Sequence, residues 1–159
     1  MTKAIKAVLL CAGKGSRLGS VTELTPKPLI SFLGKTLLEA GLNKLSRAGA
    51  EQIGINCHHL AKQIAQAALS SPQATKITLS FEKELLGTGG AFCGLKEVGL
   101  NGPLIAASSD VISDFPIKRL FDFHQEQMAT ATMGLLPNPI EGEQSVFVQE
   151  DIICGFGYL

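Results

Sequence analysis

The sequence predicts an α/β domain with a mostly parallel central sheet and helices on both faces. Short apolar runs alternate with segments of helical periodicity, as strands joined by crossover helices require. Three polar or glycine-rich stretches also follow apolar runs directly, which is where ligands sit in such sheets. At 159 residues the chain can bury one sizeable core, and it is expected to form a single domain over 1–159.

The elements are expected in the following order. Ala7 to Cys11 is an apolar run that stops at a pair of glycines, as a buried central strand would. Residues 12–34 carry glycines and prolines without periodicity and read as one long loop, of the kind that is more often functional than idle. From Thr36 to Ala48 the apolar residues Leu37, Leu38, Leu42, Leu45 and Ala48 recur at helical spacing, and Gly49 ends the helix. Gln52 to Cys57 reads as a second strand, and Leu60 to Leu69 as a second helix that ends before Ser70-Ser71-Pro72. Ile77 to Phe81 alternates like a strand, Glu82 to Gly90 is a polar glycine-rich loop, and Ala91 to Val98 a short helix. Pro103 to Ala107 is apolar again, with Ser108-Ser109-Asp110 at its end. Ile117 to Gln127 reads as a helix and Thr130 to Leu136 as a strand. Right-handed crossovers would then gather the first loop, the Glu82 to Gly90 loop and Asp110 on one rim.

Composition narrows the function. Fourteen basic residues balance fourteen acidic ones, so no broad field draws in nucleic acid or an anionic membrane. An anion must therefore be held by a local, focused arrangement. The longest apolar runs are of strand length, well short of the roughly 20 residues of a membrane helix. No small-residue cleavage site follows Met1-Thr2-Lys3-Ala4, so no signal peptide is expected. Cys11, Cys57, Cys93 and Cys154 are scattered without a CxxC pair, which argues against zinc and disulfides and fits reduced thiols in a cytoplasm.

Chemistry concentrates in Leu10-Cys11-Ala12-Gly13-Lys14-Gly15-Ser16-Arg17 and in Pro26-Lys27-Pro28. Gly13 and Gly15 let the backbone turn tightly and bring its N–H groups near a ligand, and Arg17 offers a planar charged fork for phosphate. The segment is no Walker A loop, because Lys14 is followed by Gly15 rather than Ser or Thr. Nor is it a dinucleotide fingerprint, whose third glycine would stand where Leu18 does. Spacing alone leaves a structural turn and a phosphate site equally open. Lys27 shifts the balance, because the two prolines stiffen its backbone and aim its ammonium. His58 and His59 read as loop or helix-start residues ahead of a ligand pair or general base, and Asp114 as a helix cap ahead of a second metal contact. Glu82 and Glu84 read as solvated beside Lys83, with contact of one of them to a base or ribose as the alternative.

Val8 to Leu18, followed by Leu24-Thr25-Pro26-Lys27-Pro28-Leu29, closely resembles the signature of the sugar-1-phosphate nucleotidyltransferase family. Gly87-Thr88-Gly89-Gly90-Ala91 resembles that family's base-side loop, and Ile105-Ala106-Ala107-Ser108-Ser109-Asp110 its metal-binding strand end. The resemblance runs from about Ala4 to about Leu136, in the family's order. It implies a Rossmann-like three-layer αβα fold of the nucleotide-diphospho-sugar transferase type. It also implies an enzyme that joins a nucleoside triphosphate (NTP) to a sugar 1-phosphate and releases pyrophosphate. Ala12 and Gly13 would contact the nucleoside, and Gly15, Ser16 and Arg17 would hold the triphosphate. Arg17 would stabilise the departing pyrophosphate, while Lys27 would bridge the attacking phosphate and the α-phosphate. Gly87 and Thr88 would help recognise the base, and Asp110 would ligate Mg²⁺.

The chain is most similar to the branch holding N-acetylmuramate 1-phosphate uridylyltransferases and small mannose-1-phosphate guanylyltransferases. Glu84 to Gly90 and Leu135-Leu136-Pro137-Asn138-Pro139 favour the former, and with it UTP. Ser109 stands where the family usually has glycine, a substitution expected to crowd the metal or substrate. The family's catalytic domains run longer, so the chain is expected to be C-terminally short. The missing part would carry a second Mg²⁺ ligand, some sugar contacts and closing helices. Gly155 to Leu159 reads as a strand continued in the family. The alternative is a truncated or degenerate member that binds nucleotide or a partner chain without turnover. An unfinished sheet edge leaves a homodimer open.

Overall fold

The computed structural model describes residues 4–137 and 144–158. Asn138, Pro139 and Leu159, which enter two of the expectations above, lie outside them. The chain folds as two compact units, Met1–Lys118 and Arg119–Leu159.

In the first unit the apolar runs become β1 (Ile5–Leu10), β4 (Ala50–Cys57), β5 (Ile77–Phe81) and β6 (Leu104–Ser108). The segment between β1 and β4 holds α1 (Val21–Leu24), the short antiparallel pair β2 (Ser31–Phe32) and β3 (Lys35–Thr36), and α2 (Leu37–Arg47). Crossovers α3 (Ala61–Leu69) and α4 (Gly87–Glu97) join the later strands. The four long strands form one sheet in the order β5-β4-β1-β6, with every pairing parallel. The chain steps outward from β1 to β4 and β5, then returns to place β6 on the other side of β1. The strand order reverses between β1 and β6, the switch point where open α/β sheets leave a crevice.

Alternation along β1 explains why both faces need helices. Val8 packs with Leu95 of α4 and with Leu100. Its neighbour Leu9 points the other way, against Gly41 of α2, so close that an added Cβ would lie 2.8 Å from Leu9 Cδ1. Gly54 of β4 pairs with Val8 and faces Leu95 and Leu100, each of whose Cδ2 atoms would lie 2.7 Å from an added Cβ. Helix α2 begins at a capping box: Thr36 Oγ1 accepts from Glu39 N–H, and the Glu39 carboxylate accepts from Thr36 N–H. It buries Leu38, Leu42 and Leu45 and stops at Gly49, whose φ is +92°.

Two expectations are corrected in this unit. The segment 12–34 is not one irregular loop; it holds 3₁₀ turns at Ser16–Leu18 and Lys27–Leu29 besides α1 and β2. Helix α4 starts at Gly87, not at Ala91. Glycines are poor helix formers, but packing demands two of them here. A Cβ on Gly94 would lie 2.8 Å from Ser80 Oγ, and one on Gly90 would collide with Leu86.

In the second unit, α5 (Ile117–Glu126) begins just before the boundary, and β7 (Ser145–Gln149) pairs antiparallel with β8 (Ile152–Gly157). Their two-residue turn, Glu150-Asp151, has φ of +48° and +64°, the twist a tight hairpin requires. Thr130 to Leu136 forms no strand, contrary to expectation. A strand exists only by pairing with a neighbour, which the segment's own residues do not encode. Among the described residues, no helix is long and apolar enough to cross a membrane.

Candidate active site

Register sets the geometry of the rim. Leu10 pairs with Asn56 on one side and Ser108 on the other, so the loops after β1, β4 and β6 leave the sheet at one level. The loops after β1, β5 and β6 surround a cleft of about 280 Å³, with Asn56 at the end of β4 in its wall. Ala12, Gly13, Gly15 and Lys27 line it from one side, Gly87 and Thr88 from another, and Asp110 closes the switch-point end.

Gly15 has φ +68°, and a Cβ there would lie 2.8 Å from Thr22 Cγ2 and 3.2 Å from Lys27 Cβ. Only glycine satisfies both the backbone and the space. Thr22 is buried and fastens the turn by sharing its one hydroxyl proton between the carbonyls of Gly15 and Gly19, at 3.2 and 3.1 Å from Oγ1. Pro26 and Pro28 are fully buried, so the prolines anchor the segment while the lysine between them reaches the surface. Lys27 Nζ donates to Asp110 Oδ2 at 2.5 Å, with both side chains about a third exposed (32% and 33%). Asp110 Oδ1 accepts from Ser108 Oγ. Burial pushes the Asp110 carboxyl up. The Lys27 and Ser108 hydrogen bonds and the Lys27 charge outweigh it and hold the group below the ordinary carboxylate range.

Asp110, a third exposed, is the cleft carboxylate that a ligand can reach; the other, Glu82, is buried with both oxygens on protein donors. Among the described residues, no three His, Cys, Asp or Glu side chains cluster as a metal cage. This donor set suits Mg²⁺ held by one carboxylate together with phosphate oxygens that arrive with a substrate.

A family model for nucleotidyl transferases matches residues 6–144. The chain belongs to the nucleotidyl transferase family. Curated relatives include the mannose-1-phosphate guanylyltransferase catalytic subunit beta of Danio rerio, 32% identical over 133 residues, 81% of this chain and 37% of that protein. The Arabidopsis thaliana mannose-1-phosphate guanylyltransferase 1 is 28% identical over 152 residues, 92% of this chain and 42% of that protein. The chain thus spans about two fifths of the length of these relatives. Among solved structures, HddC of Yersinia pseudotuberculosis complexed with GMP-PN is 26% identical with a TM-score of 0.66, covering 76% of this chain and 54% of HddC. A putative Bacillus anthracis glucose-1-phosphate thymidylyltransferase, 19% identical, shares the fold at a TM-score of 0.77 over 98% of this chain and 64% of its own.

Against the family signature, the cleft gathers every site residue expected from the sequence except Ser16 and Arg17. These two sit exposed on the 3₁₀ turn immediately beyond Gly15, outside the cleft lining. The histidines do the structural work expected of them: His58 Nδ1–H donates to the Glu82 carbonyl at 3.0 Å, and His59 Nε2–H to the Thr22 carbonyl at 2.7 Å. Ser109 is buried and lines the cleft beside Asp110.

Glu82 overturns its expectation of a solvated acid. It is buried in the cleft wall and bonded to Asn56 Nδ2 at 2.7 Å. Asn56 and Thr22 carry no motif, and sequence reasoning missed both. The available signal was Asn56 itself, a polar side chain inside an apolar strand that must find a partner.

Proposed function

We propose that this chain carries the nucleotide-binding and phosphate-transfer centre of a sugar-1-phosphate nucleotidyltransferase. The observation that carries the proposal is the Lys27–Asp110 pair, facing the glycine loop across the switch-point cleft. In the reaction, an oxygen of the sugar 1-phosphate attacks the α-phosphorus of the NTP. The bond to the β-phosphate breaks, and pyrophosphate leaves with the electron pair.

Two anions must meet, so neutralisation and alignment supply most of the catalysis. The N–H groups around Gly13 and Gly15 would hold phosphate oxygens, and Ala12 would pack on the nucleoside. Lys27, held by its buried prolines, would leave Asp110 for the attacking phosphate and the α-phosphate. Ser16 and Arg17, next along the chain from Gly15, would take the departing pyrophosphate at the outer end of the cleft. Gly87 and Thr88, opening α4, would meet the base. Asp110 would hold Mg²⁺, which when bound neutralises phosphate charge.

The relatives' names support GTP with mannose 1-phosphate ahead of the UTP expected from the sequence. The test is pyrophosphate release from each of the four NTPs with a panel of sugar 1-phosphates and Mg²⁺. Release with one pair supports the proposal, and Arg17→Ala and Lys27→Ala should each lower it about 10²–10³-fold. NTP binding without release from any pair would sink the transfer step and leave nucleotide binding alone.

A further inference from the structure

Two backbone N–H groups on different walls of the cleft end on one line of side chains. At the start of the glycine loop, Cys11 N–H donates to Asn56 Oδ1 at 2.8 Å. At the start of α4, Leu86 N–H donates to Glu82 Oε2 at 3.1 Å. Asn56 Nδ2 joins the two halves by donating to Glu82 Oε1 at 2.7 Å. The line crosses the ends of β1, β4 and β5, and both side chains are nearly inaccessible, 4% and 8% exposed. Glu82 is also fixed by its backbone, which donates to the Cys57 carbonyl at 2.8 Å and accepts from His58 Nδ1–H.

The donors and acceptors fit together in one direction only. A line with an N–H donor at each end must contain a group that only accepts. Asparagine brings one acceptor and one donor face, so it passes the polarity along; the Glu82 carboxylate accepts from both sides and closes the line. The Cys11 N–H also decides the amide orientation, turning the Asn56 oxygen toward β1.

We infer that Asn56 and Glu82 are positioning residues that hold the glycine loop and the start of α4 at the separation a nucleotide needs. The inference rests on the proposed nucleotidyl transfer, which puts the phosphates against the first of these segments and the base against the second. Neither side chain has to touch the nucleotide; each acts through the backbone it holds.

The test is a swap of polarity. Glu82→Gln sets an amide donor against one of the two donors it faces, and Asn56→Asp sets two carboxylates face to face. Made together, the changes reverse the line without breaking it. The carboxylate introduced at position 56 accepts from Cys11 N–H and from the amide at position 82, whose oxygen accepts from Leu86 N–H.

Two readouts are compared in the full chain: amide hydrogen exchange at Cys11 and Leu86, and the dissociation constants of GTP and UTP by calorimetry. Each single variant should lose protection and bind nucleotide about tenfold more weakly or worse, and the double variant should recover both. Single variants that bind like wild type overturn the positioning role. So does a double variant that binds no better than the worse single. A wild-type chain that binds no NTP overturns the transferase proposal and this role with it. That failure is distinguishable, because the exchange pattern still reports whether the line itself exists.

Discussion

Gly15→Ala isolates what the phosphate loop demands of its own backbone. The residue sits at φ +68°, ψ +27°, in the left-handed region, where a residue with a Cβ costs about 1–2 kcal/mol. The new methyl would also press on Thr22 Cγ2 at 2.8 Å and Lys27 Cβ at 3.2 Å. Thr22 cannot retreat freely, because the hydrogen bond its hydroxyl shares between Gly15 and Gly19 is worth about 0.5–1.5 kcal/mol. Lost freedom in the unfolded chain returns about 0.4–1 kcal/mol. The net is a destabilisation of about 2 kcal/mol, or ~4–8 °C in Tm for a chain of this size.

Gly13→Ala is the matched control in the same loop. It has no positive φ, and nothing lies within 4 Å of its added Cβ, so its Tm should stay within ~3 °C of wild type. Thermal unfolding of the three proteins by circular dichroism decides the matter. Equal losses for the two glycines, or none for Gly15→Ala, would refute the account of why this turn requires glycine.

Three further outcomes are expected. Asp110 titrates below the ordinary carboxylate range, so its small contribution to stability is present above that range and lost as pH falls through its own lowered value. Carboxyl-carbon NMR should show Asp110 titrating higher in a Lys27→Met variant, and an unmoved midpoint would mean the ion pair is not what holds it down. Gly54→Ala should cost about 1–3 kcal/mol in chemical denaturation, because its methyl would overlap Leu95 and Leu100 in a filled core; a neutral result would mean the two leucines can move. Burial pushes the Cys57 thiol up to about 12 and Cys11 still higher, while Cys93 and Cys154 are exposed. Iodoacetamide at neutral pH should therefore label Cys93 and Cys154 first by mass spectrometry. Early labelling of Cys57 would contradict its burial.

What was legible in the sequence was local. The β1 run, the α2 spacing and its Gly49 stop, and the order of motifs around Lys27 and Asp110 are written in adjacent residues, and the sheet assembled as they imply. Where partners lie far apart in sequence, reading failed. Glu82 beside Lys83 and Glu84 looks like solvated charge until β5 brings it against Asn56, twenty-six positions earlier. Gly87 to Gly90 looks like a loop because the reason for glycine at position 90, the closeness of the Leu86 side chain, appears only once the helix has formed. Thr130 to Leu136 has a strand's pattern without a strand's ladder.

The all-parallel sheet has a temporal consequence. Lys27 and Asp110 stand 83 positions apart, and β6 can dock beside β1 only after the intervening strands and crossovers exist. At ribosomal speeds of roughly 5–20 residues per second, Lys27 is made roughly 4–17 s before the carboxylate it will face. Over that interval the nascent chain carries one wall of a cleft, and its lysine has no counter-charge from Asp110.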